Sequence, residues 1–107
     1  MKDLEQELNE TLQDLWKRTR AIGFDDRSFL PMLAEYGAVA TVERLVLSNT
    51  VQHGFVKLHE LKRLDLTVEY EILRPKWALL VREDVRRAAR ARLLAYGMAE
   101  RDLPMED

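Results

Sequence analysis

Leu4, Leu8, Leu12, Leu15, Thr19 and Ile22 recur at steps of three or four residues, the spacing that lines side chains along one face of an α-helix. Asp3, Glu5 and Glu7 stand at the front of this stretch and Lys17, Arg18 and Arg20 at its end, as a helix dipole favours. The pattern predicts a first helix over residues 3–22, stopped by Gly23. Its apolar stripe takes in Trp16 and needs a partner surface, either the rest of the domain or another chain.

Asp25-Asp26-Arg27-Ser28 reads as a turn and cap before a short second helix over residues 29–36, because Asp and Ser satisfy free helix amides and Pro31 is tolerated in the first turn. Gly37 ends that helix. Val39, Val42, Leu45 and Val46 then share a helical face, so residues 38–47 predict a third helix, although their Val and Thr content also suits a strand. Residues 48–54 are polar and turn-forming, and read as a surface loop.

Between Gly54 and Trp77 the pattern changes. Phe55, Leu58 and Leu61 mark a short helix, and Asp65 is placed to cap the next. Leu66, Val68, Tyr70 and Ile72 alternate with Thr67, Glu69 and Glu71, the period of a half-buried strand. A strand needs a partner, and only the Val-rich third segment offers one, so an all-helical domain is the simpler solution. Pro75 closes the element, and Glu83 and Asp84 begin a last helix that runs to about Tyr96, with Val85, Ala89, Leu93 and Tyr96 inward and Gly97 as terminator. The expected fold is all-α, a compact bundle of five to six short helices with longer first and last members. It forms a single domain over 1–107, with an N-terminal helix within 1–24, a helical core over 28–97 and a frayed acidic tail over 98–107.

A length of 107 residues, 47% hydrophobic and 34% charged, suits one folded domain with a single core. The chain has no cysteine, which removes disulfides, thiolate nucleophiles and cysteine-held metals. An acidic start without a secretory apolar segment, and no run near the roughly 18 apolar residues of a membrane span, point to a cytoplasmic protein without a membrane partner. Net charge is −2, yet residues 57–99 hold 10 basic against 6 acidic side chains while the remainder holds 7 against 13. Base is thus concentrated between two acidic ends.

Few residues form a chemical constellation. Asp65 and Glu69 would lie one turn apart on a helix, close enough to share a metal or to split acid and base roles, though capping by Asp65 and solvation of Glu69 explain them as well. His53 and His59 lie in no metal motif and read as a loop and a helix-surface histidine. No serine stands in a nucleophile elbow, and four widely spaced glycines make no phosphate-cradling loop. No catalytic residue, cofactor or metal is therefore assigned, and a non-enzymatic protein is expected.

Binding is the better-supported class. Arg82, Arg86 and Arg90 recur every four residues on the last helix with Arg87 and Arg92 beside them, a face that could track phosphates or meet an acidic protein, or be only its solvated side. Leu4, Leu8 and Trp16 on the first helix form a second candidate surface. Trp16, Trp77, Tyr36, Tyr70 and Tyr96 suit interface anchors but more often fill a small core.

The run Gly54-Phe55, Leu58, Glu60, Arg63-Leu64-Asp65-Leu66-Thr67-Val68-Glu69, Leu73, Pro75 and Trp77, followed by Ala89-Arg90 and Arg92-Leu93-Leu94, resembles an uncharacterised small bacterial helical domain family. Phe29-Leu30 and Tyr36-Gly37 extend the likeness over residues 28–97. The resemblance implies helix for residues 66–73. It also implies an accessory role, since members sometimes stand beside or within nuclease-like and defence-like proteins, and it brings no catalytic residues. The chain departs from the pattern at Val81-Arg82, where a Phe-Thr helix start is expected, and at Tyr70-Glu71, where smaller or more apolar residues are usual. The function expected is macromolecule binding, with a protein partner or homo-oligomer leading and nucleic acid on the arginine face as the alternative.

Overall fold

In the computed structural model, which describes residues 3–104, Asp3 opens the first helix, α1 (Leu4–Ala21), by accepting a hydrogen bond from the Gln6 amide at 2.8 Å. Gly23, at φ 99°, ends it by letting the Gly23 and Phe24 amides turn back onto the carbonyls of Arg20 and Thr19, both at 3.1 Å. After α2 (Phe29–Tyr36) and Gly37 comes α3 (Ala38–Val46), a helix as favoured over the strand alternative. Its buried Ala38, Val42 and Val46 pack against Leu8, Leu12 and Leu15 of α1 in one core.

The fourth helix, α4 (His53–Glu60), starts earlier than the loop reading of residues 48–54, so His53 is helical. It closes through Lys62 at φ 60°, a left-handed residue where glycine is usual, with the Arg63 amide on the Leu58 carbonyl at 2.8 Å. Leu64–Leu66 then form a 3-10 turn, Thr67 is extended, and α5 (Val68–Glu71) is one helical turn. Asp65 does not cap α5. Thr67 does, its hydroxyl accepting from the Tyr70 amide at 3.1 Å, because the extended backbone at Thr67 leaves that hydroxyl facing the free amides. Residues 66–73 therefore hold a single helical turn between irregular stretches, with no strand among the described residues.

A second 3-10 turn, Pro75–Trp77, carries the fully buried Trp77 into the centre of the core. Its indole N–H donates to Oε2 of Glu71 at 2.9 Å, and Arg74 holds the other oxygen at 3.1 Å. The last long helix, α6 (Glu83–Ala95), lays Val85 and Ala89 on this core and contacts α3 and α5. Gly97 at φ 100° terminates it in the manner of Gly23. No described helix is long and apolar enough to cross a membrane.

The expected frayed tail is corrected over its described part. Glu100–Asp102 form a 3-10 turn and Leu103 is buried in a second cluster with Phe55 and Leu93, with Met98 packed against that cluster and Pro104 also buried, so apolar side chains anchor the segment. Residues 105–107 of that predicted tail lie outside the described residues.

Two substitutions test these local arguments. Lys62→Gly relieves the left-handed strain and is expected to stabilise by up to about 1 kcal/mol, raising Tm by roughly 4–8 °C in a thermal melt. Leu103→Ala is expected to cost about 2–5 kcal/mol in urea unfolding, whereas truncation of a truly frayed tail would cost almost nothing.

Candidate functional site

The single turn of α5 points both of its glutamates inward. Glu69, expected at the solvated surface, is only 4% exposed, and its Oε2 accepts from Nη1 of Arg92 at 2.8 Å. Arg92 also donates to the carbonyls of Leu45 at 3.2 Å and Ser48 at 3.1 Å, where the end of α3 leaves acceptors open. Burial pushes the Glu69 carboxyl up, against the opposing pull of the Arg92 hydrogen bond.

Asp65 has a different environment. It is exposed and forked by Arg63 at 3.0 and 3.1 Å, and those hydrogen bonds hold its carboxyl below the usual range. Asp65 and Glu69 are thus not neighbours on one helix face, because the extended Thr67 separates their turns. The histidines are likewise apart in role: His53 stands edge-on to Phe24 at 5.8 Å, and His59 to Tyr96 at 5.1 Å. Among the described residues, no three His, Cys, Asp or Glu side chains converge as a metal site.

The arginine face of α6 is largely engaged within the chain. Arg82 precedes the helix and forks onto Asp84 at 3.0 and 3.1 Å, with Glu43 at 3.8 Å. Arg86 reaches back to the carbonyls of Ile72 at 3.0 Å and Leu73 at 2.9 Å, capping the end of α5. Arg90 pairs with Glu100, whereas Arg87 is exposed and makes no ion pair among the described residues. Sequence spacing placed these cations on a common face but gave no sight of acceptors brought in from α3, α5 and the 3-10 turn near the carboxyl end.

The first-helix candidates divide in the same way. Leu8 is fully buried, Leu4 packs at the core's edge, and half-buried Trp16 donates its indole N–H to the Asp26 carbonyl at 3.0 Å. Trp16 does face open space. Together with Phe24, Phe29, Phe55 and Leu58 it lines an apolar cleft of about 250 Å³ between α1, α2, α4 and α5. The sequence reading missed this cleft because its walls come from positions 15 to 69; the one local signal is Gly54, a glycine inside a helix.

A second surface feature lies on the opposite side of α5 in sequence. Leu79 is 98% exposed on the turn that follows Trp77. That turn is closed by the Leu80 and Val81 amides, which donate to the Trp77 carbonyl at 3.0 and 2.9 Å.

The buried pair makes a pH prediction. Folded Glu69 takes up its proton at higher pH than the unfolded chain does, so its contribution is fully present below the ordinary glutamate value and is lost as pH rises through the raised folded value. Glu69→Gln keeps an oxygen for Arg92 but cannot titrate. Wild type is therefore expected to gain stability relative to Glu69→Gln as thermal melts move from neutral pH toward about pH 5. Asp65, with its lowered value, contributes the opposite slope, but it is common to both proteins and cancels. Parallel profiles would refute the assignment.

No protein-family model, no curated protein and no solved structure matches the chain, so its functional reading rests on its own residues.

Proposed function

We propose that this chain is a non-enzymatic binding module whose partner is another protein, contacted through the turn that carries Leu79. The observation behind this reading is a leucine with 98% of its surface in water, held on a turn whose two flanking anchors, Trp77 and Val81, are buried. Such a side chain does nothing for the fold of its own chain. With the backbone of the turn already held by hydrogen bonds, entering a partner's apolar pocket would cost mainly the rotamer freedom of the side chain itself.

Charge supports protein over nucleic acid. Arg82, Arg86 and Arg90 already hold Asp84, the Ile72 and Leu73 carbonyls and Glu100, leaving Arg87 as the one candidate arginine whose side chain makes no ion pair or hydrogen bond among the described residues. A phosphate-tracking surface would require several such cations at once. The separate engagement of Asp65, Glu69, His53 and His59 supports a binding role over a catalytic one.

Leu79→Asp tests the reading against proteins encoded by neighbouring genes, with affinity measured by calorimetry and assembly by light scattering. Unfolding free energy is expected to stay within the range of a neutral surface change, about ±0.5 kcal/mol, while partner affinity falls roughly 30-fold or more. Undiminished binding by Leu79→Asp would sink the proposed contact, and tight binding of DNA or RNA, weakened by Arg87→Glu, would favour the alternative.

A further inference from the structure

The cleft beside Trp16 is the place where the core is incompletely closed. Six apolar core residues retain 4–8% of their surface, and five of them, Leu15, Phe29, Phe55, Leu58 and Leu66, line it. The rest of the core is closed more tightly, so the residual exposure is concentrated rather than spread. Small-molecule sites have this form: an apolar hollow with a few fixed polar groups.

The carboxylates lining the cleft are Asp26 and Glu69, with no lysine or arginine on its wall. His53, edge-on to Phe24, is the one histidine among its lining residues. Glu69 at the floor is already held by Arg92. Asp26 differs: its Oδ1 accepts from the Ser28 amide at 3.0 Å and the Ser28 hydroxyl at 2.7 Å, while Oδ2 accepts no hydrogen bond from the described residues. Trp16, anchored on the Asp26 carbonyl, fixes the same segment from the other side.

Gly54 lies beside that oxygen. It sits inside α4 without a left-handed φ, so backbone conformation does not require glycine there. A Cβ at this position would lie 3.4 Å from the Phe24 ring and 3.5 Å from Oδ2 of Asp26. A side chain longer than alanine would grow into the space between the aromatic ring and the carboxylate. The missing side chain leaves that space, between an apolar ring and an unshared anionic oxygen, unfilled.

We infer that this cleft binds a small organic amine, with its ammonium group on Oδ2 of Asp26 beside the Phe24 ring and its apolar body among Trp16, Phe29, Phe55 and Leu58. A carboxylate oxygen suits an ammonium through charge, and the aromatic side chains of the lining suit the apolar body of an organic amine. The volume of about 250 Å³ fits a ligand of about one ring and a short chain, near the lower end of small-molecule pockets. This site is separate from the Leu79 turn and does not depend on the protein-binding proposal.

Titration of the isotopically labelled protein with 2-phenylethylamine, 2-phenylethanol and 3-phenylpropionate, followed by amide and indole NMR, decides the matter. The amine is expected to give saturable shifts at the Trp16 indole and the Gly54 amide, with the alcohol weaker and the carboxylate weakest. Asp26→Asn preserves the acceptor for Ser28 and is expected to weaken the amine about tenfold or more while leaving the alcohol unchanged. Gly54→Val is expected to abolish binding of all three with the amide spectrum otherwise retained. Equal binding of amine and carboxylate, an unaffected Asp26→Asn, or no saturable shift at these positions would each overturn the proposal.

Discussion

The arrangement of the domain depends on one buried ion pair, Glu69 with Arg92. Arg92 stands on α6, Glu69 on α5, and the two carbonyls that share the guanidinium belong to Leu45 and Ser48 at the end of α3. Three elements are therefore joined by one planar side chain. A lysine would not substitute, because its compact ammonium lacks the fork that meets a carboxylate and two carbonyls at fixed angles. Such a pair costs desolvation, and its net contribution relative to an apolar replacement is small or negative. Its strength lies in what removal leaves behind: an uncompensated buried charge, worth about 3–5 kcal/mol of destabilisation when one partner is lost.

That constraint accounts for the behaviour of residues 66–73. Their alternation suggests a strand with Leu66, Val68, Tyr70 and Ile72 inward and the polar positions outward. Thr67, Glu69 and Glu71 are in fact all buried, while Val68 and Tyr70 are only partly so. Each buried polar side chain has a specific partner: Thr67 the Leu64 carbonyl and Tyr70 amide, Glu69 the guanidinium, Glu71 the Trp77 indole and Arg74. Hydrogen bonding makes their burial tolerable, and the hydrophobic period is overridden by it.

Legibility in the sequence follows the range of the interactions. The first helix and its stop at Gly23, like the last helix and Gly97, depend on contacts within a few residues, and the chain shows them plainly. Thr67 as cap was hidden by Asp65, an equally good capping residue two positions away whose carboxylate is claimed by Arg63. Glu69 and Arg92 are 23 residues apart, and Arg92 and Leu45 are 47 apart, so no local pattern marks them. The same distance concealed the arginines' roles. The repeat of Arg82, Arg86 and Arg90 looks like an outward cationic face until Ile72 and Leu73, just after α5, supply carbonyls to Arg86 and Glu100 meets Arg90.

The α5 turn is also what connects the two surface features. Thr67, Val68 and Glu69 line the cleft, while Glu71 reaches in the other direction to Trp77, the residue before the exposed turn. Proximity along the chain does not by itself couple the sites, since coupling requires an element with two arrangements that each ligand weights differently. The links here are hydrogen bonds of 2.8 and 2.9 Å inside a packed core, which tie the turn to Arg92 on one side and Trp77 on the other. Occupancy of the cleft should then stabilise the folded state by mass action without changing how Leu79 is presented. The α5 turn acts as a shared foundation, holding a hollow on one side and a projecting leucine on the other, rather than as a switch between them.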